Sequence, residues 1–237
     1  MKSFWKNVFV VFYWAFVICS AVIAISQVRW LFSWTPEPRT NWTADVNNMT
    51  TQEMVDYIRF TNASSCKLER DFGGNVDGNK SVCLDPEVRP EPGNCIVYSF
   101  GVHHEWTFDE EMARYGCHVY AFDPLIKKNH NRSEKIHVYN FGLSYKSQTS
   151  MQNWTVHPLH KIYKMLQTVH GKVPISYLRY DLEDYDLKVL PNIIRTGVLM
   201  DIRQLALEVH IEPEAKIDML RDLVEVLQVK MFFVCYF

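Results

Sequence analysis

Two short apolar runs of this chain end on residues suited to holding a nucleoside. "IVYSFG" closes on Ser99, Phe100 and Gly101, and "VYAFDP" closes on Asp123 and Pro124. A glycine directly after a buried strand lets the backbone approach a ligand closely, and an acid ending a nearby strand accepts hydrogen bonds from both ribose hydroxyls. Gly101 and Asp123 are 22 residues apart, as that arrangement requires. A glycine after a strand more often only makes a turn, so the pairing carries the argument. It points to an adenosine-containing cofactor, either a dinucleotide or S-adenosylmethionine. A dinucleotide needs G-x-G-x-x-G to seat its pyrophosphate at a helix N-terminus. The loop here reads "GVHHEW", with His103 where the second glycine would fall. Without a phosphate cradle, the phosphate-free cofactor is favoured.

Methyl transfer from a sulfonium is an in-line displacement, helped by positioning and by a base that takes the acceptor's proton. The groups near expected strand ends that could serve are His103, His104, Asp181, Glu183, Glu208 and His210. Asp181 leads, because it directly follows "YLRY"; the same acid could instead cap the next helix. The paired histidines suit solvent as well as an acceptor, and Glu208 and His210 alternate along a strand and share a face. A competing reading is a lumenal glycosyltransferase that uses Asp184-Tyr185-Asp186 as a DxD for metal and nucleotide sugar. Those acids fall at a helix start, where they also complement the helix dipole. No cysteine or histidine spacing suggests a zinc site.

Around these residues the sequence pattern alternates strand and helix. Strands are expected at Ile96 to Phe100, His118 to Phe122, Ile136 to Asn140, Ile175 to Tyr180 and Gln204 to His210. Helices are expected at Phe108 to Tyr115, Leu159 to Val169, Leu187 to Arg195 and Glu214 to Gln228. The strands are continuous apolar stretches, as in a parallel sheet buried on both faces, so the fold class is a doubly wound α/β sheet. Residues 66–94 read as an irregular lead-in, and residues 31–60 as a polar stem running into a helix near Thr51 to Phe60.

The N-terminus places this domain in a compartment. Val8 to Ile25 carries no charge and, at about 1.5 Å per residue, spans about 27 Å. Lys2 and Lys6 precede it, and Trp30 and Trp34 follow it. The expected organisation is a cytoplasmic tail (1–7), a transmembrane signal-anchor (8–28), a lumenal stem (29–65) and the domain (66–237). A signal peptide cleaved near Ala24-Ile25-Ser26 is the alternative. Six N-glycosylation sequons follow, at Asn41, Asn48, Asn62, Asn79, Asn131 and Asn153. Five cysteines lie beyond the anchor, enough for two disulfides and one leftover thiol, with pairing not readable. A net charge of -2 gives no reason to expect a nucleic-acid partner.

The blocks "CIVYSFGVHHEWTFDEEMARYGCHVYAFDP", "VYNFGLS", "LHKIYKMLQTVHGKVPISYLRYDLEDYDLKVL" and "IRQLALEVH" resemble the methyltransferase-like protein 24 family, relatives of the FkbM-type methyltransferases, over about residues 66–228. The resemblance implies a Rossmann-like fold dependent on S-adenosylmethionine. The cofactor would be held by Ser99, Phe100, Gly101, Asp123 and Pro124, with the Phe141 to Ser144 turn nearby. Asp181 would close that pocket from the fourth strand; of the strand-end groups, Asp181, Glu183 and His103 are the expected catalytic ones. FkbM-type proteins read "KIDVEGxE" where this chain has "RYDLEDYD", so Asp184 replaces the glycine and Asp186 the second glutamate. The final "KMFFVCYF" suits one strand and not the usual strand pair, so the sequence is expected to be truncated or an alternative product. The reading is a single-pass type II membrane glycoprotein of the Golgi or endoplasmic reticulum, methylating a glycan or protein. A catalytically inactive fold that binds a glycan or a partner protein is a further alternative.

Overall fold

The computed structural model describes residues 48–54, 66–74, 79–102, 104–149, 154–181, 186–208, 221 and 233–236. The expected anchor, the tail before it and most of the stem lie outside them. Among the described residues no helix is long and apolar enough to cross a membrane.

The strands are β1 (Glu69–Phe72), β2 (Lys80–Cys83), β3 (Ile96–Phe100), β4 (His118–Phe122), β5 (His130–Asn131), β6 (Ile136–Tyr139), β7 (Gly142–Leu143), β8 (Gln148–Thr149), β9 (Thr155–His157), β10 (Tyr177–Tyr180), β11 (Leu205–Glu208) and β12 (Phe233–Tyr236). The helices are α1 (Thr107–Tyr115), α2 (Leu159–His170) and α3 (Asp186–Arg195), with a 3-10 turn at Val198–Asp201. Seven strands form one sheet in the order β12-β11-β10-β3-β4-β6-β5. All neighbours run parallel except β5, which lies antiparallel to β6. Strand order reverses at β3, with β4 and β6 on one side and β10 and β11 on the other. Ligands of such sheets bind beyond the carboxyl ends at that reversal.

Every residue of β3 and of β10 is buried, which is why both read as apolar runs without alternation. One face packs Tyr98, Phe100, Tyr120, Phe122, Leu178 and Leu207 against α2 and α3. The other packs Val97, Val119, Ala121 and Ala206 against Phe108 and Met112 of α1 and against Phe72 and Val82 of the β1–β2 hairpin. Helix α1 ends because Gly116, at φ 125°, turns the chain out of the helix and returns its N–H to Met112 and Ala113. The lead-in helix begins with a capping box, Thr50 Oγ1 accepting from Glu53 N at 3.3 Å and Glu53 Oε2 accepting from Thr50 N at 2.7 Å. It is helical over 51–54, and the rest of the expected helix lies outside the described residues.

Three expectations are corrected. Residues 66–94 are not irregular throughout: β1 and β2 form an antiparallel hairpin. It is held by long-range contacts that a local pattern does not carry, namely the Cys66–Cys83 disulfide, Tyr177 Oη donating to Ser81 O (2.8 Å), and the Gln204 amide, which accepts from Cys83 N (2.9 Å) and donates to Cys83 O (2.8 Å) and Val88 O (3.0 Å). The turn at Phe141 to Ser144 contains β7, which pairs with β9 in a separate three-stranded sheet. The strand expected from Ile175 pairs in the main sheet only from Tyr177, Ile175 making an isolated bridge to Ile202. A second disulfide, Cys95–Cys117, ties the starts of β3 and β4, and the C-terminal run supplies the single strand β12, parallel to β11. The helix expected at Glu214 to Gln228 lies outside the described residues except Arg221.

Candidate functional site

Parallel pairing aligns the strands so that Tyr139, Phe122, Phe100, Tyr180 and Leu207 form one row across the sheet. The next residue along each strand is therefore Asn140, Asp123, Gly101, Asp181 and Glu208. Residues singled out from sequence thus stand side by side at the carboxyl edge, with Gly101 at the reversal, Asp123 on one side of it, and Asp181 and Glu208 on the other.

Gly101 has φ +74°, and a Cβ built on it would lie 1.6 Å from the backbone oxygen of Asp181. The missing side chain thus makes room for the neighbouring strand end. The same junction is closed by Asp181 N donating to Phe100 O at 3.3 Å. Across the reversal, Asp123 is almost fully buried, and its Oδ1 accepts from Leu125 N at 2.8 Å, fixing a tight turn. Pro124 packs over Gly142, whose missing Cβ would stand 3.3 Å from the proline ring. Leu125, next to it, is 57% exposed.

Ser99 and Phe100 are both completely buried. Phe100 stacks on Phe122 with ring centroids 4.4 Å apart, while Ser99 points to the α1 face. What they can offer a ligand at this edge is backbone. His104 is exposed in the loop after Gly101, and Asp186 is the first residue of α3. His103, Glu183, Asp184, Tyr185 and His210 lie outside the described residues. Glu208 accepts from Lys80 Nζ at 3.1 Å, a lysine that β2 delivers with its side chain 4% exposed.

Two charged residues beneath this edge went unnoticed in the sequence. Arg179, in β10, is paired in register with Ser99 in β3, and both face α1. Asp109, in the first turn of α1, is 0% exposed, and Arg179 is 2% exposed. Arg179 Nη1 lies 3.7 Å from Asp109 Oδ2, and Arg179 Nη2 lies 3.9 Å from Asp181 Oδ2. The signal was available: an arginine inside an otherwise apolar, doubly buried strand needs a buried partner. Asp109 resembles any acid placed to favour a helix N-terminus, so it carried no such signal. Burial pushes the Asp109 carboxyl up to about 6 against the opposing pull of the Arg179 guanidinium and the Ser99 hydroxyl. Glu105, at the start of α1, is held below the usual carboxylate range by its hydrogen bonds with Thr107 and, more weakly, by Arg179.

A family profile described as a methyltransferase domain matches residues 39–233. A human protein named "Probable methyltransferase-like protein 24" is 33% identical over 141 residues, covering 55% of this chain and 38% of its own length. The rat protein of the same name is 30% identical over 145 residues, with coverages of 55% and 38%. The aligned part of this chain thus spans well under half the length of these relatives. No solved structure matches. With the profile covering most of the chain and the α/β sheet that such a domain requires in place, the chain belongs to this methyltransferase-domain family.

Proposed function

We propose that the chain is a membrane-anchored, lumenal methyltransferase dependent on S-adenosylmethionine, acting on a glycan or a protein. The observation that carries this reading is the single row of strand-end residues, Asp123, Gly101, Asp181 and Glu208, on both sides of the strand-order reversal.

The residues present fit the cofactor. Asp123 uses Oδ1 for its own turn, and Oδ2 accepts no hydrogen bond among the described residues, which leaves it for ribose hydroxyls. Phe100, Gly101 and Pro124 supply backbone and a ring edge on either side of it, and Ser99 supports them from below. When bound, S-adenosylmethionine supplies an electrophilic methyl carbon. Asp181, which follows β10, with Glu183 and His103, which lie outside the described residues, would orient the acceptor and take its proton.

Compartment enters by chemistry. Four cysteines pair as Cys66–Cys83 and Cys95–Cys117, which suits an oxidising lumen. The sequons at Asn48 and Asn131 are exposed, and the apolar run in 8–28 is long enough for a type II anchor in the endoplasmic reticulum or Golgi. An electrophoretic shift on N-glycosidase treatment, with protease protection of the domain in intact microsomes, tests this placement. A protease-accessible domain without glycans would reject it.

The activity is tested by isothermal titration of S-adenosylmethionine into the full chain, made in a secretory host and held in detergent. We expect saturable binding that Asp123→Ala weakens at least tenfold while its thermal unfolding stays close to that of the unsubstituted protein. A folded chain that takes up no cofactor would reject the methyltransferase reading and reopen the glycosyltransferase one, which a manganese and nucleotide-sugar titration would then examine.

A further inference from the structure

We propose that Arg179 is the positioning residue of this site, holding the Asp181 carboxylate at the sheet edge while its other arm is anchored on Asp109 of α1. The inference rests on the methyltransferase reading for its functional meaning, and on geometry for the brace itself.

The geometry has three parts. Arg179 lies under the strand-order reversal, paired in register with Ser99, whose following residues Phe100 and Gly101 form the first turn. Its two Nη atoms point to acids on two different elements, at 3.7 Å to Asp109 in α1 and at 3.9 Å to Asp181 beyond β10. Asp181 in turn meets the first turn twice by backbone, through its N–H on Phe100 O and through its carbonyl against Gly101. A guanidinium is planar and forked, so it can serve two carboxylates at once where a lysine serves one point. Helix α1, the first turn and the end of β10 are thereby coupled through one side chain.

Stability gives no sufficient reason to keep such a group. Among the described residues, both Asp109 oxygens, Ser99 Oγ, and Arg179 Nε and Nη1 are buried with no hydrogen-bond partner within range. Buried ion pairs of this kind are commonly replaced by apolar side chains at no loss, or with a gain. Incompletely satisfied charge in an otherwise apolar layer is retained where it orients something, and here the one acid of the cluster that reaches the edge is Asp181, whose side chain is 17% exposed.

The test separates orientation from folding. Arg179→Ala alone would strand the Asp109 charge and confound the two. The informative variant is the pair Asp109→Leu with Arg179→Met, which removes both buried charges at similar volume, alongside Asp109→Leu alone and Arg179→Lys. Three quantities are read in the full chain: the unfolding temperature, the dissociation constant for S-adenosylmethionine, and amide hydrogen exchange at Asp181 without cofactor. We expect the double variant to unfold cooperatively within a few degrees of the unsubstituted chain, to bind at least tenfold more weakly, and to exchange the Asp181 amide at least tenfold faster. Asp109→Leu, which removes the anchor and leaves Arg179 with Asp181 alone, should bind more weakly than the unsubstituted chain and less weakly than the double variant.

Unchanged binding and unchanged exchange in the double variant would overturn the inference. Should the double variant fail to unfold cooperatively, Arg179→Lys decides: tenfold weaker binding in a folded protein supports the brace, and unaltered binding refutes it. If the unsubstituted chain binds no cofactor, the methyltransferase reading falls, while faster Asp181 exchange in the variants would still uphold the brace.

Discussion

The two faces of the central sheet are built from alternate residues of the same strands and have opposite characters. Towards α2 and α3 the strands present Tyr98, Phe100, Tyr120 and Phe122, large rings in mutual contact, with Tyr98 5.2 Å from Phe122 and Phe122 5.6 Å from Tyr139. Towards α1 they present Val97, Ser99, Val119 and Ala121, which are small, with a single large ring, Tyr177, against Phe108, and a buried charge, Arg179, among them. The aromatic face carries the larger of the two buried clusters. The thinner face gives up apolar packing near the carboxyl edge, where a guanidinium and two carboxylates meet. The difference separates the part that keeps the domain folded from the part that arranges its edge.

The largest effect that could break this division is at the hinge between the faces. Gly101→Ala puts a methyl where the Asp181 carbonyl already sits and adds the cost of a positive φ, about 1–3 kcal/mol for the strained backbone alone. We expect loss of cofactor binding together with a large fall in unfolding temperature; a variant that melts and binds normally would show that the edge is looser than the contact implies. Next comes Phe122→Ala on the aromatic face, expected to cost about 3–5 kcal/mol in urea unfolding. Cofactor affinity measured where the variant remains folded should change far less than its stability. If affinity falls in step, the aromatic face is not separable from the edge.

Replacing Cys95 and Cys117 together by alanine opens a 22-residue span tied between the starts of β3 and β4, at the end of the sheet opposite the site. About 3 kcal/mol of stability should go, with binding retained in the folded fraction.

The smallest effect distinguishes the faces by pH. His170 accepts a hydrogen bond from Tyr98 Oη at 2.7 Å when its Nδ1–H is donated to Gly171 O, and burial lowers its pKa; burial also lowers those of His137 and His157. Their folded forms hold fewer protons than the unfolded chain, so this stability is present above about pH 6.5 and is lost as pH falls through the lowered values. Asp109 acts in the opposite sense. With its carboxyl raised to about 6, its contribution is present below the unfolded carboxylate value and lost as pH rises through about 6. Unfolding free energies between pH 5 and 7.5 should therefore decline on acidification more steeply in Asp109→Asn than in the unsubstituted chain. Equal slopes would mean that Asp109 does not titrate in this range.

How much of this was legible in sequence follows the same divide. The buried strands announced themselves because continuous apolar runs have one good explanation, and their boundaries held to within two residues where both ends are described. The edge residues were legible because glycine and acid stand directly after those runs. The β1–β2 hairpin was not: its strands, "ERDF" and "KSVC", are short and largely polar, and what secures them is a disulfide and side chains more than ninety positions away. Arg179 was visible as an anomaly inside "YLRY", yet its fully buried partner Asp109 comes from an element seventy residues earlier and could only be found in three dimensions.

Gln204 has a consequence for synthesis. Its side chain closes three hydrogen bonds, two on Cys83 at the end of β2 and one on Val88 beyond it, and it leaves the ribosome 121 residues after Cys83. During that interval the hairpin emerges without the side chain that closes its far end. Docking of the hairpin on the sheet must therefore wait for Gln204, whereas both cysteines of the Cys66–Cys83 pair are present in the chain 121 residues earlier.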